Sequence, residues 1–229
     1  MFGVYYFDYY LFMIPAVIFV LWAQMMVSSR YKKFGNIPNY PAMTGAQVAA
    51  LILSANGIHD IQVLQTSGHL TDHYHPTQKA VYLSDAVYHS TSIAAIGIAA
   101  HEVGHAIQYA KGYFPIKLRM AILPICNFGS KASVPLLILG AILQLPVLVN
   151  VAILLFAAVT VFQLITLPVE FNASARAIAA IRACGHFSQE DVKGAKQMLT
   201  AAAMTYVAAF AQSLLSLLYY ILRFNHRRD

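Results

Sequence analysis

The chain has 229 residues, 59% of them hydrophobic and only 10% charged, against roughly 25% charged for a soluble globular domain. That balance excludes an ordinary soluble domain and puts the chain in the membrane class. The net charge of +6 comes from scattered basic residues that form no nucleic-acid-binding stripe, so it bears on topology instead. Two cysteines, Cys126 and Cys184, make neither a disulfide framework nor a cysteine metal site.

Tyr9 to Ser29 carry no charge, enough apolar chain to cross a bilayer. Asp8 precedes the run where a signal peptide has a basic region, and no clear small-residue cleavage site follows, so the segment reads as a retained helix. Residues 30 to about 118 hold most of the polar side chains. There Pro38, Asn39 and Pro41 mark a loop, and Thr44 with Gln47 forms a capping box opening a helix that stops at Asn56-Gly57. Ile61 to Leu64 and Ala80 to Leu83 read as short strands, with Thr66 to Gln78 as turn and loop between them. A third helix is expected from Ser90 or Thr91 to about Gly112.

No charge occurs from Ala132 to Val169, too long a run for one span and suited to two that turn near Gln144 to Pro146. The first of the two starts near Ala132 or as early as Met120. A polar stretch from Glu170 to Lys196 precedes a last uncharged run, Gln197 to Leu222. Four spans put the region between the first two spans and the region between the last two on one side, with eleven of the fifteen Lys and Arg residues, Arg119 among them; Arg223, Arg227 and Arg228 lie on the other, and Lys131 is ambiguous. The basic side is expected to face the cytoplasm.

His101-Glu102-Val103-Gly104-His105 matches His-Glu-x-x-His. On a helix, positions i and i+4 share one face, one turn apart. Two imidazoles there can share a zinc ion, while the intervening glutamate takes a proton from the water the metal activates. Helix histidines that merely find partners in a polar core are the bland alternative. Gly104 costs about 1 kcal/mol against Ala inside a helix; a close approach by a substrate or by another helix would explain it.

A catalytic zinc usually has three protein ligands and a water. Of the two other glutamates, Glu190 in Ser188-Gln189-Glu190-Asp191 reads as a first-turn acid at a helix N-terminus. Glu170 lies at a span boundary after Pro168, where a new helix can begin, and an acid there is costly unless partnered. It reads as the third ligand, the alternative being an interfacial salt bridge with Arg176 or Lys117. Arg176 reads either as an oxyanion stabiliser or as an interfacial cation. Ala80 to Ser84 reads either as an edge strand that pairs with an extended peptide or as an ordinary sheet strand. His69, Asp72, His73 and His75 fit a polar loop near the cleft better than a second metal site.

The order of His101 to His105, two spans, then Glu170-Phe171-Asn172-Ala173-Ser174 resembles the membrane gluzincins of the HtpX kind. Leu70-Thr71-Asp72-His73-Tyr74-His75-Pro76, followed by Val81-Tyr82-Leu83-Ser84, resembles the YugP-like bacterial family of neutral zinc metallopeptidases over nearly the whole chain. The HtpX pattern has an acid four residues after its glutamate ligand, orienting a zinc histidine. Ser174 stands there in this chain, which implies that Ser174 or Asn172 supplies that support.

The expected architecture is an α-helical integral membrane protein of about four spans with a small α+β zincin-like catalytic part. Residues 1–29 form the N-terminal transmembrane helix, 30–118 the soluble catalytic part, 119–169 a transmembrane hairpin, 170–196 the helix carrying the third zinc ligand, and 197–229 the final span and basic tail. The expected activity is a zinc-dependent endopeptidase of the cell membrane, multi-pass and with its site facing the cytoplasm. It would hold one Zn2+ per chain on His101, His105 and Glu170, with Glu102 as base, and act on protein or peptide substrates at the bilayer, with no nucleic-acid partner. Two other readings are a zinc sensor or scaffold without catalysis, against which Glu102 speaks, and a zinc transporter, which would need His and acid residues inside the spans.

Overall fold

The computed structural model describes residues 2–225, with side chains from 11 to 224. Arg227 and Arg228, used above to orient the chain, and the side chain of Asp8 lie outside these residues. The chain is mostly helical: α1 (Phe2–Phe34), α2 (Gly45–Ala55), β1 (Gln62–Thr66), β2 (His73–His75), β3 (Ala80–Ser84), α3 (Asp85–Tyr88), α4 (Ile93–Ala110), α5 (Phe114–Ile142), α6 (Pro146–Ala183) and α7 (Gln189–Asn225). Among the described residues, four helices are long and apolar enough to cross a membrane, namely α1, α5, α6 and α7. Two compact units are present. One comprises Met1–Ala23, Lys117–Leu167 and Thr205–Asp229, the other Gln24–Ile116 and Pro168–Met204.

The first unit is built from stretches of the four long helices. Its exterior is apolar, with Leu11, Ile14, Ile125, Phe128, Leu154 and Leu218 all exposed. Asn127, Ser130 and Lys131 of α5 are exposed as well. Buried polar contacts also occur: the hydroxyls of Thr160 and Ser213 lie 2.7 Å apart and Ser216 donates to Met13 Sδ at 3.6 Å.

The second unit has an ordinary core, with α4 at its centre. Most of α4 is buried, and it packs against α2, the sheet, α6 and α7. Ser92 starts it by accepting from the Ala95 amide at 3.1 Å, and Gly112, with φ of +64°, ends it. Both ends fall within two residues of the sequence expectation. The Thr44–Gln47 capping box forms as expected, with both reciprocal bonds in place, and Gly57 takes the left-handed turn that ends α2, at φ +70°.

One open alternative is decided and two expectations are corrected. The sheet has three strands in the order β1-β3-β2, with β1 parallel and β2 antiparallel to β3. Ala80 to Ser84 is therefore the central strand. β1 pairs with it over all five residues and β2 over Ala80 to Tyr82, so neither side is an open edge. Ala80, Val81, Leu83 and Ser84 are buried, as befits a strand covered on both faces. His73–His75, expected within a loop, forms β2. Its residues lack an alternating apolar pattern, and the strand exists because β3 supplies the partner. Finally, Pro168 starts no new helix but lies inside α6, which continues to Ala183. The lost backbone hydrogen bond and ring crowding of an internal proline are outweighed here by the burial of Val169, Ala173, Ala177 and Ile181 in the second unit.

Candidate metal centre

α4 and the last third of α6 bring the site together. His101 and His105 lie one turn apart on α4, their ring centroids 4.8 Å apart and their planes at 83°. Glu170 on α6 points between them. Its Oε2 lies 3.2 Å from His101 Nε2 and 3.6 Å from His105 Nε2, and only 2% of the residue is exposed. One ligand atom from each of the three lies within 4.8 Å of the others, and this is the one such group of His, Cys, Asp and Glu among the described residues.

The donor set suits zinc. Two imidazole nitrogens and a carboxylate oxygen are borderline donors of the kind it prefers, and three protein ligands leave a position open for water or substrate. Each histidine also has its second ring nitrogen occupied: Nδ1 of His101 lies 3.1 Å from Ser174 Oγ, and Nδ1 of His105 lies 3.0 Å from Gln108 Oε1. Zinc-ligating histidines need this outer support to fix ring and tautomer. Burial alone would lower the His105 pKa, but the Glu170 hydrogen bond and the nearby charges of Glu102 and Glu170 outweigh it and hold it above the ordinary histidine value. Glu102, half-buried, is thus near enough to His105 to act on it electrostatically without being one of the three convergent groups.

Gly104 is explained by helix packing. A Cβ added there would stand 2.5 Å from the Ala173 carbonyl oxygen, a position no real atom takes. α4 and α6 meet backbone to backbone between the two zinc-motif histidines and the turn after Glu170. Gly104→Ala is accordingly expected to destabilise the protein by about 1–3 kcal/mol through overpacking, seen as a lower melting temperature in detergent. At Gly97 the added Cβ would meet Ala195 Cβ at 3.4 Å, an ordinary contact. Gly97→Ala should therefore be neutral or slightly stabilising, by virtue of helix propensity.

The other residues singled out by sequence fall as follows. Ser174 supports His101 directly. Asn172 Oδ1 accepts from Gln108 Nε2 at 3.0 Å and from Arg176 Nε at 2.7 Å. The Arg176 guanidinium also lies over the Tyr113 ring, 5.8 Å from its centroid, so its recorded contacts are to Asn172 and Tyr113 rather than to the three convergent groups. The His69–His75 segment is occupied with fold contacts. Asp72 accepts from the backbone amide (2.8 Å) and the hydroxyl (3.1 Å) of Ser84, His73 stacks on Tyr82, and His75 Nδ1 accepts from the Gln78 amide. Glu190 lies in the first turn of α7, as expected. The neighbouring Asp191, which is buried, closes a reciprocal cap with Ser188 and also accepts from the Tyr40 amide at 3.2 Å. A residue of this cluster that the sequence did not mark is Gln108, which meets His105. It is fully buried and follows His105 by three, the helical spacing that puts it on the same face.

A family model described as "Putative neutral zinc metallopeptidase" matches residues 9–225, nearly the whole chain. The chain belongs to this zinc metallopeptidase family. A similar protein, "Putative membrane protease YugP" of Bacillus subtilis (strain 168), is 45% identical over 209 residues, which cover 91% of this chain and 92% of the relative. No solved structure matches. Membership of the neutral zinc metallopeptidase family and likeness to a protein named as a membrane protease both support a protease role, and the family name implies zinc.

Proposed function

We propose that the protein is a membrane-embedded zinc endopeptidase that cleaves peptide bonds of membrane or membrane-associated proteins. The observation that carries this reading is the convergence of His101 Nε2, His105 Nε2 and a Glu170 carboxylate oxygen beside Glu102. His101, His105 and Glu170 hold one zinc ion. When bound, zinc polarises a carbonyl and makes water a nucleophile at neutral pH.

The chain's own residues do the rest. Ser174 and Gln108 hold the rings so that both Nε2 atoms face Glu170. Glu102 accepts a proton from the attacking water and returns it to the leaving amine, the general base becoming the general acid. Strand addition of an extended substrate, if the enzyme uses it, falls to an outer strand of the sheet, because β3 is paired on both sides. Four apolar helices, the outward-apolar first unit and the distribution of Lys and Arg support a multi-pass placement with the site on the cytoplasmic side.

The test uses the full chain purified in detergent. Elemental mass spectrometry is expected to find one zinc per chain, and a panel of quenched fluorescent peptides is expected to be cleaved. Chelation should stop the cleavage and added zinc restore it. Bound zinc with no turnover on any substrate would favour a sensor or scaffold. A wild-type protein that takes up no zinc would leave the reading without its metal.

A further inference from the structure

Gln108 carries no role in the family pattern read from the sequence, yet it stands between the two helices that make the site. Its side chain makes three contacts, all of them within 3.0 Å. Oε1 meets His105 Nδ1 at 3.0 Å, and Nε2 meets the Val169 carbonyl at 2.8 Å and Asn172 Oδ1 at 3.0 Å. A backbone carbonyl can only accept, so the Gln108 atom facing Val169 has to be the NH2 group. The atom facing His105 is then the oxygen, which can only accept in its turn. His105 must therefore carry a proton on Nδ1, which makes Nε2, the nitrogen that faces Glu170, the one available to a metal. The same logic fixes Asn172. Arg176 has donors only, so the Asn172 atom receiving Arg176 Nε at 2.7 Å is the oxygen, and that oxygen also receives Gln108.

We infer that Arg176, Asn172 and Gln108 form a hydrogen-bond relay that sets the tautomer of His105 and ties it to the backbone carbonyl immediately before Glu170, making Gln108 a positioning residue for zinc binding. This rests on the zinc-site reading above. It gives Arg176 a different task from oxyanion stabilisation: it fixes the sense of the first amide in the relay, held over Tyr113 as it does so. Val169 is fully buried and directly precedes Glu170, so the Gln108 contact locates the third ligand's backbone as well as the second ligand's ring.

The test measures zinc affinity by competition with a chromophoric chelator, on the full chain in detergent, together with the melting temperature of the metal-free protein. Gln108→Met keeps the volume and removes both hydrogen-bonding ends; a zinc affinity about 10–100-fold weaker is expected, as for loss of outer support to a zinc histidine. Gln108→Glu keeps an acceptor for His105 Nδ1–H, its other oxygen holding a proton that it donates to the Val169 carbonyl; an affinity within about tenfold of wild type is expected. Packing alone predicts the reverse order, because the Met variant fits a buried apolar site and the Glu variant buries an acid. Arg176→Met should weaken zinc binding as well, whereas a pure oxyanion role would lower kcat and leave zinc affinity unchanged. Wild-type zinc affinity in Gln108→Met, or losses in both Gln108 variants that merely track their melting temperatures, would overturn the relay while leaving the zinc site standing. Absence of zinc from the wild type would overturn both.

Discussion

Glu102→Gln is expected to keep its zinc and to lose peptide cleavage by a factor of about 10²–10⁴, the usual contribution of a positioned general base. The change is nearly isosteric: an amide occupies the volume of the carboxylate but cannot take a proton from water. Glu102 is half-buried and stands outside the three convergent groups, so the first coordination sphere should survive. The two readouts, zinc per chain and turnover of a fluorescent peptide, therefore separate. Zinc retained with activity lost supports the assignment. Zinc retained with full activity means that another group moves the proton and the mechanism is wrong. Loss of zinc would make Glu102 a holder of the metal rather than a base.

Glu170→Ala is expected to have the larger effect on the metal itself. It removes one of three ligand atoms, and loss of mere outer support already costs 10–100-fold in affinity. A drop of well over about 100-fold is therefore expected, leaving little zinc after dialysis. The same substitution deletes a buried carboxylate against which both histidines rest at 3.2 and 3.6 Å. A melting curve of the metal-free variant has to accompany the metal assay, so that unfolding is not read as lost coordination. A folded variant that keeps its zinc in full would take Glu170 out of the site and return attention to the His69–His75 segment.

The difference between what was and was not legible in the sequence has a physical pattern. The pair of α4 histidines could be read because 3.6-residue periodicity places i and i+4 on one face with no tertiary knowledge. Glu170 could be read because an acid at the end of a long uncharged run is expensive without a partner. Ser174 was pointed to, together with Asn172, only through the resemblance, as the position where the HtpX pattern carries an acid; of the two it is Ser174 that meets His101. Gln108 was missed although its three-residue offset from His105 was visible, because an amide carries no charge and has no cost at a boundary to mark it.

The place of Ala80 to Ser84 in the sheet stayed open for a related reason. Whether Ala80 to Ser84 is central or at an edge depends on β1 and β2 coming to pair with it, which is information held elsewhere in the chain. The clue available locally was that Ala-Val-Tyr-Leu does not alternate, the signature of a strand covered on both faces. β2 itself is three residues of His and Tyr, too short and too polar to show a period. Pro168 was read from its local preference, and burial of the α6 face beyond it overrode that preference.

The contact at Gly104 has a consequence for anyone searching for or transplanting this site. In a bare His-Glu-x-x-His pattern the two middle positions are wild cards, but in this fold the second of them admits only hydrogen as a side chain, because the Ala173 carbonyl occupies the space. The pattern is better written as His-Glu-x-Gly-His. The obstacle is main chain, present whatever residue stands at position 173, so no substitution there makes room for a side chain at position 104. A designer who grafts the α4 motif onto a new scaffold without the facing α6 turn would carry over the histidines and leave behind the spacing that makes a third ligand reachable.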